Sequence, residues 1–231
     1  MPACKAVLVG RGGRIAVGLA GALILVLVLA QLILPRLAAS RISSRVGRYG
    51  KVLSVSVSAF PAVELLWGHV GSVHVKAGSL ALSTAQAAGL VSEAKGTGTM
   101  EVSAESVRLG SLTLTDASLR KHGDALSAQA VASEAAVKAA LPTGFSVQLL
   151  RSEGGEVEVQ ASGALFGVGA TVNAVAGASD GELVAHPVGF LIEALQLTLF
   201  SNPHVYVEGV AASVQSSQPK SYRLTMSASL R

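Results

Sequence analysis

The side chains able to do chemistry are few and scattered. The chain has five histidines and a single cysteine, Cys4. His69 and His74 are the closest histidine pair, with Glu64 as the nearest carboxylate. A turn between two strands would bring the pair together. No cysteine or second acid completes a metal-ligand set, so strand-end or surface histidines are the simpler reading. His122 and Asp124 flank Gly123 and read as a hairpin tip. Asp116 and Asp180 also sit near turn signals. No G-x-S-x-G elbow, H-E-x-x-H pair or Walker phosphate loop occurs. Serine is abundant enough that a serine beside a histidine says little. No catalytic constellation, cofactor or metal is expected, and one cysteine excludes an internal disulfide.

What the chain does have is organised charge and hydropathy. Residues Ile15 to Leu34 form an apolar run of 20 residues with no charge. A helix of that length spans about 30 Å, the thickness of a bilayer's hydrocarbon core. A secretory signal is the competing reading, with a basic start at Lys5, Arg11 and Arg14 and a weak cleavage possibility at Ala38-Ala39-Ser40. The run is longer than a signal's apolar region and ends in Leu34-Pro35-Arg36, which favours an uncleaved anchor. Three basic residues precede the run. Five follow it closely: Arg36, Arg41, Arg45, Arg48 and Lys51. The positive-inside rule alone would keep the following domain cytoplasmic. A short tail before one long apolar run is instead the layout of a signal anchor with an exported domain.

The formal net charge of +4 misleads. From Val52 onward ten Lys and Arg face fourteen Asp and Glu, so the domain is acidic. The basic excess lies in the tail and the stem. A nucleic-acid partner is not expected, because the domain lacks basic residues interleaved with aromatics. The stem reads either as contact with anionic headgroups or as a solvated spacer; each nearby cation contributes about 1 kcal/mol to such a contact.

The elements that would position any site are mostly strands. Alternation of apolar and polar residues, the period of a half-buried strand, recurs along the chain. It runs through Leu53, Val55 and Val57; Val73, Val75 and Ala77, then Leu80 and Leu82; Met100, Val102 and Ala104; Leu112 and Leu114; and Leu126, Ala128 and Ala130. It resumes through Val157, Val159 and Ala161; Val168 to Ala174; Val205 to Val214; and Tyr222 to Leu230. Turn signals separate these runs at Gly96-Thr97-Gly98, His122-Gly123-Asp124, Glu153-Gly154-Gly155, Ser179-Asp180-Gly181 and Ser216 to Pro219. The spacing predicts an antiparallel meander.

Three segments break the pattern. Ser83 to Ala94 and Ser133 to Leu141 each open on a capping serine and predict helices, the second stopped by Pro142. Pro187 to Leu197 is apolar on most sides and fits either a helix or a buried strand. The expected architecture is α+β: one N-terminal transmembrane helix, then a long curved antiparallel sheet wrapped around two or three helices. Its division is 1–14 tail, 15–34 anchor, 35–51 basic stem and 52–231 domain.

Residues Val55 to Val75 read VSVSAFPAVELLWGHVGSVHV. An alternating strand reaches Phe60-Pro61, Leu65-Leu66 leads to Gly68, and a second strand begins at Val73 and Val75. This opening resembles the LmeA-like family of actinobacterial, membrane-anchored envelope proteins, whose V-x-V-x-x-F-P-x-x-x-L-L-x-G-x-x-x-x-V-x-V pattern these residues fill. Ala62 stands where the family usually has a second aromatic. The resemblance implies a tubular lipid-binding (TULIP-like) fold. It also implies an exported, tethered domain that binds a phospholipid or related envelope lipid in an apolar groove. A weak phospholipase activity attached to the family finds no supporting residue pattern here.

Trp67 is the sole tryptophan. It reads as a groove-mouth or interfacial residue, or as a core residue between two strands. Phe190, Leu191 and Leu195 lie in the most apolar stretch after the anchor and read as groove lining or as core. Together with the stem cations Arg36, Arg41, Arg45, Arg48 and Lys51, these are the candidate contact residues. The reading is a cytoplasmic-membrane protein, single-pass, whose domain faces outward into the cell envelope. Its expected partners are the bilayer and one lipid, held by burial of its chains. A structural or adaptor ectodomain that docks another envelope protein is the alternative, and a weak lipid hydrolase a third. No particular protein partner is indicated.

Overall fold

Alternation builds the strands it predicts. The computed structural model describes residues 33–34, 36–58, 70–165, 168–188 and 196–231. Within them lie twelve strands: β1 (Gly50–Ser58), β2 (Val70–Leu82), β3 (Thr97–Leu109), β4 (Leu112–His122), β5 (Ala125–Ser133), β6 (Ser146–Glu153), β7 (Glu156–Leu165), β8 (Val168–Ser179), β9 (Glu182–Val188), β10 (Leu197–Phe200), β11 (Val205–Ser217) and β12 (Lys220–Leu230). In β2, Val73, Val75 and Ala77 are buried while His74 and Lys76 are exposed. A register shift in its pairing with β1 then moves the buried set to Leu80 and Leu82.

The strands form two sheets rather than one long one. The larger has the order β1-β2-β3-β4-β5-β12-β11, and the smaller runs β10-β9-β8-β7-β6. The smaller is the expected antiparallel meander. The larger departs from it twice. β2 and β3 pair in parallel, Val75 opposite Val102, and parallel neighbours need a crossover. Helix α2 (Thr84–Glu93) lies in that crossover. The second departure follows helix α3 (Glu134–Ala140), which carries the chain off β5. The free side of β5 is taken by the last strand, Tyr222 lying opposite Ala132.

Both predicted helices form on the predicted serines. The Ser83 hydroxyl accepts from Gln86 N at 3.2 Å while Ser83 N donates to Gln86 Oε1 at 2.8 Å. That is a reciprocal capping box, satisfying donors at the first turn. The Ser133 hydroxyl accepts from Ala136 N at 3.1 Å. A third helix, α1 (36–46), occupies the stem. Its Ile42 and Val46, four residues apart, are half-buried, whereas Arg41, Arg45 and Arg48 are exposed. Val46 and Tyr49 pack against the buried cluster of Ala77, Leu80, Leu82, Ala104 and Val107. The stem is thus continuous with the domain, and Lys51 is an exposed residue of β1 rather than the end of a linker.

The segment from Pro187 to Leu197 does not begin a helix at its proline. Pro187 and Val188 end β9 and Leu197 starts β10. Pro187 pairs with Ala174 of β8, beyond the last residue of β9 registered with β10, so its missing N–H removes no bond from that edge. Phe190, Leu191, Leu195 and Trp67 all fall outside the described residues, as does the apolar run as far as 32. Among the described residues no helix is long and apolar enough to cross a membrane.

The smaller sheet meets the larger through its turns. Val207 N donates to Gly181 O at 2.8 Å and Val210 N to Gly155 O at 2.9 Å, so two hairpin turns cap the edge of β11. Close approach demands glycine there. A Cβ on Gly181, whose φ is +82°, would lie 2.1 Å from a ring carbon of Tyr206, and one on Gly209 would lie 3.2 Å from the Gly155 Cα.

Candidate functional site

The inward faces of six strands in the larger sheet surround space instead of an opposed layer. Val73 and Val75 of β2, Met100 and Val102 of β3, and Leu114 and Leu119 of β4 line one side. Ala128 and Ala130 of β5, Leu224 and Met226 of β12, and Val210 and Ala212 of β11 continue it. Ile42 and Val46 of α1 and Leu90 and Val91 of α2 close over them. Val157, Ala176, Leu183 and Phe200 carry the same surface onto the smaller sheet. The space, a half-open cavity among the described residues, has a volume of about 800 Å³, towards the upper end of the roughly 300–1,000 Å³ usual for ligand cavities.

Local sequence explains why the space stays open. Alanines at Ala128, Ala130, Ala176 and Ala212 put small side chains where a packed core would need large ones. α2 is only ten residues long and spans two clusters: Ala87 and Leu90 rest on the Ala77–Val107 cluster, and Val91 on Leu126, Val205, Ala228 and Leu230. One short helix cannot fill the face of a seven-stranded sheet. Polar groups on the inward faces are sparse, Thr97 and, at α1, Arg45; Ser118, Gln129 and Thr225 form one cross-strand row on the opposite face.

Two buried polar side chains stand on the inward faces at opposite ends. Lys121 of β4 is 3% exposed. Its neighbours across the ladder are Met100 and Leu126, both lining residues. Its ammonium donates to the carbonyl of Thr97. Among the described residues no carboxylate lies within ion-pair distance of it. At the other end Tyr222 is buried on the face of β12 that carries Leu224, and among the described residues no group meets its hydroxyl at hydrogen-bond geometry, the Lys220 ammonium standing 5.6 Å from its ring centroid.

Of the histidine pair and its acid only His74 is described, His69 and Glu64 lying outside the described residues. His74 Nδ1 lies 3.3 Å from Glu101 Oε2, and Arg120 Nε lies 3.3 Å from Glu101 Oε1, all three being solvent-exposed. His122 and Asp124 are exposed at the β4–β5 turn. Among the described residues no three His, Cys, Asp or Glu converge on a metal position. Of the stem cations, Arg36, Arg41, Arg45, Arg48 and Lys51 are all exposed, and Arg45 alone also touches the cavity.

Alternation on β4 should have found Lys121 but is broken by a bulge. Asp116 has a φ of +49°, and the pairing of β4 with β5 shifts register between Thr115 and Ser118. Counting from Leu114 without that extra residue points Asp116, Ser118 and Arg120 inward. With it, Ala117 and Leu119 line the cavity and Lys121 is buried on the same face of the strand.

A model of one protein family, described as LmeA-like phospholipid-binding, matches residues 26–221. No curated protein and no solved structure matches the chain.

Proposed function

The chain belongs to the LmeA-like phospholipid-binding family, and from that premise we propose that it holds one lipid by its acyl chains in the cavity beneath α1 and α2. In this reading the domain is anchored in the cytoplasmic membrane by residues 15–34 and faces outward, handling a phospholipid or related envelope lipid. In this reading the two sheets and the helices over them serve as a TULIP-like tube. The single observation that carries the proposal is the apolar cavity of about 800 Å³, covered on one side by α1.

Burial supplies the affinity. Each methylene withdrawn from water contributes about 0.8 kcal/mol, so a chain of about sixteen gains on the order of 13 kcal/mol before the costs of ordering. Nonspecific walls of Val, Leu, Ala and Met suit such a ligand, because a flexible chain needs area rather than directional contacts. α1 supports a division of labour. Ile42 and Val46 face the lipid, Arg41 and, just past the helix, Arg48 are exposed to meet anionic headgroups, and Arg45 stands at the boundary, exposed yet touching the cavity.

The test is native mass spectrometry of the full chain, released from detergent after purification from its membrane. One phospholipid per chain is expected, exchangeable against labelled vesicles. A protein that carries no lipid and takes none from vesicles would remove the proposal and favour an adaptor domain.

A further inference from the structure

We propose that the ligand is an acidic lipid whose anion pairs with Lys121, its chain running from there back toward α1. This rests on the lipid-holding reading above and specifies the ligand's polar end. Lys121 is 3% exposed, on the face of β4 that also carries Leu119; it is not itself a wall residue of the cavity but stands at its margin, against the lining residues Thr97, Met100 and Leu126. An ammonium has three donors; here one is taken by the Thr97 carbonyl, and the other two have no partner among the described residues. A charge withdrawn from water this far is ordinarily matched by an opposite charge.

Among the described residues no side-chain carboxylate provides one. Lys95, two residues before Thr97, donates to the Arg231 carbonyl at 2.9 Å, and the Arg231 guanidinium stacks 3.7 Å from the Tyr206 ring centroid. Two further cations therefore stand at this end. The carboxylate of the adjoining turn, Asp124, is exposed. Tyr222, the buried polar group at the opposite end, is a neutral hydroxyl and makes no comparable demand. A carboxylate or a phosphate satisfies Lys121 equally well in charge, so the shared requirement is one anionic group at the end of an apolar chain.

The test uses the full chain in phosphatidylcholine nanodiscs at pH 8. Palmitate, hexadecyl phosphate and hexadecanol are offered in equal amounts, and bound probe is read by native mass spectrometry. Partition into the disc is common to every protein variant, so the ratio of acid to alcohol is compared between wild type and Lys121→Met. The expected result is a ratio at least tenfold higher in wild type, the size of a charge-assisted bond. Whether palmitate or hexadecyl phosphate shows the larger ratio separates a fatty acid from a phospholipid headgroup. Lys121→Gln repeats the comparison should the methionine variant fail to fold. An unchanged acid-to-alcohol ratio with hexadecanol still bound overturns this inference alone. Failure of all three probes to bind overturns the lipid-holding reading with it.

Discussion

Ala128→Phe distinguishes a cavity from a packed core by the sign of its effect. Ala128 lies on β5 between Leu119 of β4 and Met226 of β12, all three lining the cavity. If the space is empty in the lipid-free protein, a phenyl ring enters it without moving its neighbours. About 100 Å² of newly buried apolar surface at about 25 cal/mol per Å² would stabilise the fold by up to about 2.5 kcal/mol. For a chain of this size that raises Tm by about 5 °C or more. The ring also occupies length that the lipid would use. Losing three or four buried methylenes, at about 0.8 kcal/mol each, weakens lipid binding about a hundredfold. In a filled core the same change overpacks and costs about 1–3 kcal/mol. The assay is thermal unfolding of delipidated full-length protein beside lipid uptake from labelled vesicles. A fall in Tm with unchanged uptake would refute the cavity argument.

Three other perturbations test separate parts of the structure. Replacing Arg41, Arg45 and Arg48 together by Gln, in a fragment starting at Arg36, should abolish salt-sensitive flotation with anionic vesicles. Undiminished flotation would make the exposed face of α1 a spacer. Gly181→Ala forces a side chain onto Tyr206 at a φ of +82°. It should destabilise the protein by more than about 2 kcal/mol, seen as a clear drop in Tm; an unaltered Tm would mean that the β8–β9 turn does not dock on β11 as described. For the proposed topology, an impermeant thiol reagent should leave Cys4 unlabelled in intact cells and label it after permeabilisation. Labelling in intact cells would reverse the orientation.

Strand positions were legible because they are local. Val73, Val75 and Ala77, or Leu224, Met226 and Ala228, alternate whatever the rest of the chain does, since the pleat has a period of two. The helix starts were legible for the same reason: Ser83 and Ser133 find their partners within three residues. The opening from Val55 to Val75 was enough to indicate the family to which the chain belongs. Its net charge divides between a basic stem and an acidic domain in the sequence itself.

Pairing is a different matter, because it joins residues distant in the chain. Alternation in β2 and β3 is the same for parallel and antiparallel neighbours, and only the crossover through α2 makes them parallel. The last strand reaches β5, whose edge α3 left free. Those choices divide the strands into two sheets and bring six inward faces around one volume, which no single strand contains. The Asp116 bulge then decides which side of β4 Lys121 occupies. One extra residue exchanges the two faces of everything after it, so the burial of Lys121 at the cavity's margin belongs to tertiary register, while the apolar walls belong to the sequence.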